Sequence, residues 1–243
     1  MANEAGDMKL LDNYAKLIDF VAAEPNYAPP NPKITVTAMR AHHAESLAAA
    51  LDVPAKHGPN KLAITERQVA YDQLPEKVTR PGKILKGAGV ATEVIADLDT
   101  SKNKVLGRRK SPKVKSDPNT PGQDGAVTHS ASQTSFANQR GNYRAFLAVL
   151  GGIPEYQTND PSMTLPALTA FADDLETLDN AVNASFVSLN QSRGVRDGKL
   201  YLDDDCVVNR ALMVKAYVAG EFGTSHTLYK AISGLKFPRA RKR

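Results

Sequence analysis

The sequence holds a single cysteine, Cys206, and no tryptophan among 243 residues. A lone thiol excludes an intramolecular disulfide framework and a cysteine-based zinc site. Aromatic residues make up 6% of the chain, so a core must rest on Leu, Val, Ile and Ala. That composition suits packed helices better than a β-sandwich, which leans on aromatic and β-branched residues. No apolar run approaches the roughly 18 residues a membrane span needs. The first residues, Met-Ala-Asn-Glu-Ala-Gly-Asp, lack a basic stretch followed by an apolar one, so no secretory signal is visible. The expectation is a cytoplasmic protein, with signal-independent export left open.

What is present is an internal duplication. A shift of 129 residues pairs Asn13-Tyr14 with Asn142-Tyr143, Pro25 with Pro154, Tyr27 with Tyr156 and Pro32 with Pro161. The same shift pairs Thr35 with Thr164, Ala38 with Ala167, Ala41 with Ala170 and Val53 with Val182. Self-similarity at a fixed shift marks a repeat architecture. Further along the offset drifts, so that Tyr71 meets Tyr201, Gly89 meets Gly223, Leu98 meets Ile232 and Lys102 meets Lys236.

Each repeat reads as helices. Thr164 is a candidate N-cap with Pro166 just inside, a common helix start. Leu168, Phe171, Leu175, Leu178, Val182, Phe186 and Leu189 then recur in steps of three and four, which predicts one long amphipathic helix. A helix with Val207, Ala211, Val214 and Val218 on one face follows Asp203-Asp204-Asp205, and a shorter one follows Gly223-Thr224-Ser225. With a leading helix over Tyr143 to Leu150, each repeat carries four helical segments. In the first repeat the stripe Met39, His42, Ser46, Ala49, Val53 runs into Pro54, Gly58 and Pro59, where a break or kink is expected. Pro75 and Pro81 predict fragmentation of the next helix, and the second repeat is expected to hold most of the stability.

The predicted fold is therefore all-α: two homologous helical units packed as a pseudo-twofold helix bundle and joined by a long irregular linker. The boundaries are 7–100 for the first repeat, 101–141 for a basic, polar linker, 142–235 for the second repeat and 236–243 for a basic C-terminal tail. A short strand over Ala126 to Phe136 is compatible with the composition there.

Charge is segregated. Lys102, Lys104, Arg108, Arg109, Lys110, Lys113 and Lys115 form a run of cations without an acid, and Lys236, Arg239, Arg241, Lys242 and Arg243 form another. Without these twelve, 19 basic residues face all 26 acidic ones, so the rest of the chain carries about −7. The twelve are candidates for polyanion or partner binding. Contact with nucleic acid would be to phosphates and steeply salt-dependent, because no aromatic residues interleave the cations and no helix-turn-helix, finger or RRM signature is present.

Catalytic and metal motifs are weak. His42 and His43 point about 100° apart on a helix, a poor chelate beside the i, i+4 spacing. Asp173-Asp174 and Asp203-Asp204-Asp205 have a structural reading, the latter as acids at a helix start. Gly223-Thr-Ser-His226 reads as a cap, with no acid placed to orient the imidazole. Lys86-Gly-Ala-Gly-Val90 lacks the Lys-Ser/Thr pair of a phosphate loop. Three aspartates before Cys206 are the opposite of the electropositive setting that activates a thiol. No catalytic, metal or cofactor residues are assigned.

The pattern Asn-Tyr…Pro-x-Tyr…Asn/Asp-Pro near each repeat's start, with the ending Phe222-Gly-Thr-Ser-His-Thr-Leu-Tyr229-Lys-Ala-Ile-Ser-Gly-Leu-Lys236-Phe, resembles a bacterial family of tandem-duplicated helical proteins whose activity is uncharacterised. The resemblance implies the duplicated architecture and no activity or cofactor. The expected function is a non-enzymatic scaffold that binds a protein partner or another copy of itself. The alternatives are sequence-independent nucleic-acid or polyanion binding through the basic segments, and an enzyme or small-molecule carrier with a site between the repeats.

Overall fold

The structure is a computed structural model, and it describes residues 4–108 and 135–239. Every regular element among them is helical. In chain order these are α1 (Glu4–Ala22), α2 (Val36–Tyr71), α3 (Leu74–Gly87), α4 (Thr92–Val105), α5 (Phe136–Gly151), α6 (Leu165–Asp197), α7 (Val207–Glu221) and α8 (Thr227–Ser233). Short 3-10 turns, Pro32–Ile34 and Pro161–Met163, precede α2 and α6, and a π turn, Gly198–Leu202, closes α6. Four helices thus lie in the stretch 4–105 and four in 136–233, in the same order. Among the described residues no helix is long and apolar enough to cross a membrane.

The residues shared by the two repeats make the same local locks. Tyr27 Oη donates to the Ile34 carbonyl, and Tyr156 Oη to the Met163 carbonyl. Thr35 and Thr164 accept from the N–H of Ala38 and Ala167, and their hydroxyls donate back to the carbonyls of Pro32 and Pro161. These bonds fix the 3-10 turn and satisfy orphan N–H groups where each long helix begins. Gly89 follows α3 at φ 74° and Gly223 follows α7 at φ 82°, the left-handed conformation in which glycine ends helices.

The chain forms two compact units that cut across both sequence repeats. One collects the residues up to Lys61 with those from Ala184 onward; the other is the continuous stretch Leu62–Asn183. In the first unit α1 packs on α7 and α8, and α7 on α8. Its core holds Leu11, Tyr14, Leu17 and Val21 of α1 against Val207, Ala211, Val214 and Val218 of α7 and Ile232 of α8. In the second unit α5 packs on α3 and α4, and α3 on α4. Tyr143, Phe146 and Leu150 of α5 meet Val78, Leu85, Ile95 and Leu98, with Leu168 and Leu175 of α6. Each unit therefore takes its leading helix from one repeat and its closing pair from the other. A fully buried Leu or Phe contributes about 1.5–3 kcal/mol to such a core.

Several expectations change. The two prolines do not break α2, which runs 36 residues through Pro54 and Pro59, and α3 runs through Pro81 with Pro75 in its first turn. Proline is tolerated in that first turn because its missing N–H has no intrahelical partner there anyway. The cap of α8 is His226, whose Nδ1 accepts from Leu228 N–H, so neither Thr224 nor Ser225 serves. In α6 the buried line is Leu168, Ala172, Leu175, Asp179, Val182, Leu189, Ser192 and Arg196, while Phe186 is 53% exposed. The ends of the stretch 101–141 are helical, since α4 reaches Val105 and α5 begins at Phe136. Residues 109–134, including most of the strand expected over 126–136, lie outside the described residues, and Phe136 itself opens α5.

Candidate functional site

The first unit carries a polar cluster inside its core. Tyr14 on α1 is fully buried, His42 on α2 is 5% exposed and Ser46, one turn further, is fully buried. His42 Nδ1 and Ser46 Oγ make no hydrogen bond of good geometry, while Tyr14 Oη has the Arg210 guanidinium beside it. An unsatisfied buried polar group costs about 1–3 kcal/mol, so the cluster is a place where the unit forgoes stability. The imidazole meets the Tyr14 ring edge-on at 6.1 Å. Burial, together with the Arg210 guanidinium, holds the His42 pKa below its ordinary value, and burial raises that of Tyr14. The same positions in the second repeat are Tyr143, Phe171 and Leu175. There the tyrosine hydroxyl donates to the Leu168 carbonyl at 3.3 Å and its neighbours are apolar.

Arg210 is committed to structure. It forms a two-bond fork with Asp205, at 2.8 and 2.7 Å, and donates to the carbonyls of Lys33 and Ala38. It thereby ties the start of α7 to the turn before α2, and the fork holds the Asp205 carboxyl below the usual carboxylate range. This gives one of the three consecutive aspartates a partner.

A second polar feature recurs in both units. Arg67 and Arg196, near the ends of the two long helices, are related by the repeat shift of 129, as are Phe136 and Asp7. In the first unit Arg196 pairs with Asp7 at 3.4 Å, and Tyr201 donates to the same carboxylate at 2.6 Å. In the second, Arg67 lies 4.0 Å over the Phe136 ring, and Tyr71 Oη lies 3.1 Å from the Phe136 carbonyl. Asp179 completes this second junction: it accepts from Arg140 at 2.7 Å and Tyr71 at 2.9 Å and sits 3.8 Å from Arg67. The arginine and tyrosine are retained, while the group they grip differs. Two asparagines recur as well. Asn13 donates to the Lys236 carbonyl in the first unit and Asn142 to the Lys104 carbonyl in the second, each holding the chain as it leaves the closing helix.

The candidate cations are spread over these exits. Lys102 and Lys104 lie on α4, Lys102 pairing with Asp99, and Arg108 follows the helix in solvent. Lys236 and Arg239 are exposed beyond α8, on either side of Phe237, which is buried in the first unit's core. Arg109, Lys110, Lys113, Lys115, Arg241, Lys242 and Arg243 lie outside the described residues. Among the described residues no three His, Cys, Asp or Glu side chains gather as metal ligands.

The long helices also expose apolar side chains. On α2 Leu51, Leu62 and Val69 are more than half exposed, and on α6 Phe186, Val187 and Val195 are too. In the first unit an open groove of about 300 Å³ lies between these helices, lined by Ala49, Asp52, Lys56, Gln191, Ser192 and Val195 among others.

Reading the repeats singly places His42 and Ser46 on the helix stripe and misses Arg67, Asp179 and Arg196. Aligning them carries a usable signal, for His42 and Ser46 stand opposite Phe171 and Leu175, polar against apolar. Comparison with protein-family models, with curated proteins and with solved structures yields no match.

Proposed function

We propose that the protein is a non-enzymatic helical scaffold whose partner is a second copy of the same chain, built on two repeats paired in a pseudo-twofold bundle. The observation that carries this reading is the number of large apolar side chains left more than half exposed on the long helices, Leu51 and Leu62 on α2 and Phe186, Val187 and Val195 on α6. Burying such side chains against a partner is what an interaction surface does. Charge supports a copy of itself over an unrelated partner: two basic segments stand beside a body of about −7, so one copy's segments complement another's body. Light scattering after size exclusion, over a dilution series at low and high salt, tests this. The expected result is an oligomer that dissociates on dilution and is weakened by salt. Phe186→Asp and Leu62→Asp, both at exposed positions, should shift it to monomer without loss of helical signal. A monomer at every concentration overturns the proposal.

A second reading, polyanion binding, is favoured by the exposure of Lys104 in the last turn of α4 and of Arg108, Lys236 and Arg239 beyond the closing helices. Filter binding to mixed DNA and RNA at two salt concentrations tests it. Retention with a steep salt slope that vanishes on deleting 236–243 supports it, and no retention at low salt removes it.

A further inference from the structure

The first compact unit is a complex of two distant chain segments. Residues 4–61 supply α1, the 3-10 turn and the first part of α2, and residues 184–239 supply the end of α6 with α7 and α8. The contacts that close it join those segments: Asp7 to Tyr201 and Arg196, Asn13 to the Lys236 carbonyl, Arg210 to the Lys33 and Ala38 carbonyls, and Asp52 to Ser192. None depends on the two segments belonging to one molecule. The second unit, by contrast, is one continuous stretch.

The join between the N-terminal segment and the second unit is the weakest part of α2. Residues 54–59 are six consecutive exposed residues, Pro-Ala-Lys-His-Gly-Pro. Pro54 and Pro59 lack the N–H groups that would bond the carbonyls of Ala50 and Ala55, and Gly58 adds backbone freedom. The corresponding stretch of α6, Asn183 to Ser188, has neither proline nor glycine. A hinge is therefore built into one long helix only, at the edge of a segment held entirely by side-chain contacts.

We propose that the N-terminal arm, α1 through the first part of α2, exchanges between two copies of the chain. The arm of one molecule then completes the unit formed by α6, α7 and α8 of the other, with every closing contact retained and only residues 54–59 changed. Exchange of an identical element is a low-cost route to a dimer. This inference rests on the self-association reading above and gives it a mechanism.

The test uses Asp52 and Ser192, whose side chains are hydrogen-bonded at 2.5 Å across the two segments. In a full-length Cys206→Ala background, D52C and S192C are prepared as separate chains, mixed, incubated or refolded together, and treated with a short bismaleimide. The D52C/S192C double variant, which links within one chain, verifies that the pair reacts. The expected result is a covalent heterodimer from the mixture and none from either variant alone, with P54A/P59A slowing its appearance by at least about tenfold. Heterodimer formation unaffected by P54A/P59A overturns the hinge. A dimer by light scattering without cross-linked heterodimer overturns exchange and leaves surface association standing, whereas a monomer throughout overturns both.

Discussion

At the scale of single residues, the identities that mark the duplication are the residues that lock turns and chain exits. Asn13 and Asn142, Tyr27 and Tyr156, Thr35 and Thr164, Gly89 and Gly223 each make the same bond or adopt the same backbone in their own unit. Gly223→Ala should therefore cost about 1–2 kcal/mol through backbone strain alone, since an added Cβ meets nothing within 4 Å. Gly58→Ala has equal space within a helix and ordinary φ, so it should gain about 0.5–1 kcal/mol. Urea unfolding of the two variants checks the opposite signs. Where the repeats diverge, His42 makes the first unit sensitive to pH. Its folded pKa is depressed by burial and by Arg210, so below about 6.5 the unfolded chain takes up the proton first. The Asp205 and Glu45 carboxylates oppose that shift, and Lys199 adds to it. The His42 contribution is fully present above that pH and is lost as pH falls through it. His42→Phe, which copies the second repeat, should flatten the dependence below about pH 6.5 and raise stability at the acid end. An unchanged slope in this variant rules His42 out as the source.

At the scale of elements, the four-helix order of each repeat and the long helix from Thr164 onward are legible because apolar residues recur at helical spacing. What that spacing does not carry is where along a 33-residue helix a partner lies. Phe186 fits the stripe yet stands in solvent, and the nearest buried residues on α6 are Val182 and Leu189, on either side of it. The ends of α4 and α5 were hidden for a related reason: Thr100 to Lys104 and Ala137 to Gly141 are polar and helical, and their stability comes from Ile95, Leu98, Val105, Phe146 and Leu150 nearby. The prolines of α2 mislead in the other direction. Propensity sets a cost of about 3 kcal/mol for each, but Val53 and Asn60 are buried on either side of the exposed stretch and hold the helix in place. Pro59→Ala should regain a backbone bond and raise stability by about 2 kcal/mol, less the entropy the unfolded chain recovers. Native-state hydrogen exchange of the wild type should show the amides of 55–58 opening well before those of 39–46. Equal protection along α2 contradicts a weak centre.

At the scale of the whole molecule, the all-helical class was legible, but the grouping of helices into compact units was not. A connector as long as 101–141 leaves topology free, and the pairs that close the units are separated by more than a hundred residues. Asp7 and Phe136 share no chemistry, so nothing in their types announces that both meet the arginine and tyrosine at the end of a long helix. The junctions allow the grouping itself to be tested. Asp179 has an 11% exposed side chain and serves Arg140, Tyr71 and Arg67 together. Asp179→Ala leaves two half-buried guanidinium groups without their carboxylate and should cost about 3 kcal/mol, near the lower limit for breaking a buried ion pair. If the units are the cooperative bodies that their contacts describe, faster hydrogen exchange in this variant appears first in α3, α4 and α5, while α1, α7 and α8 keep their protection. Asp7→Ala should do the reverse, exposing α1, α7 and α8 first, and by a smaller margin because Arg196 retains Asp197 at 2.7 Å. A uniform rise over all eight helices in both variants means that the units open only together, and that the two-body grouping has no energetic counterpart.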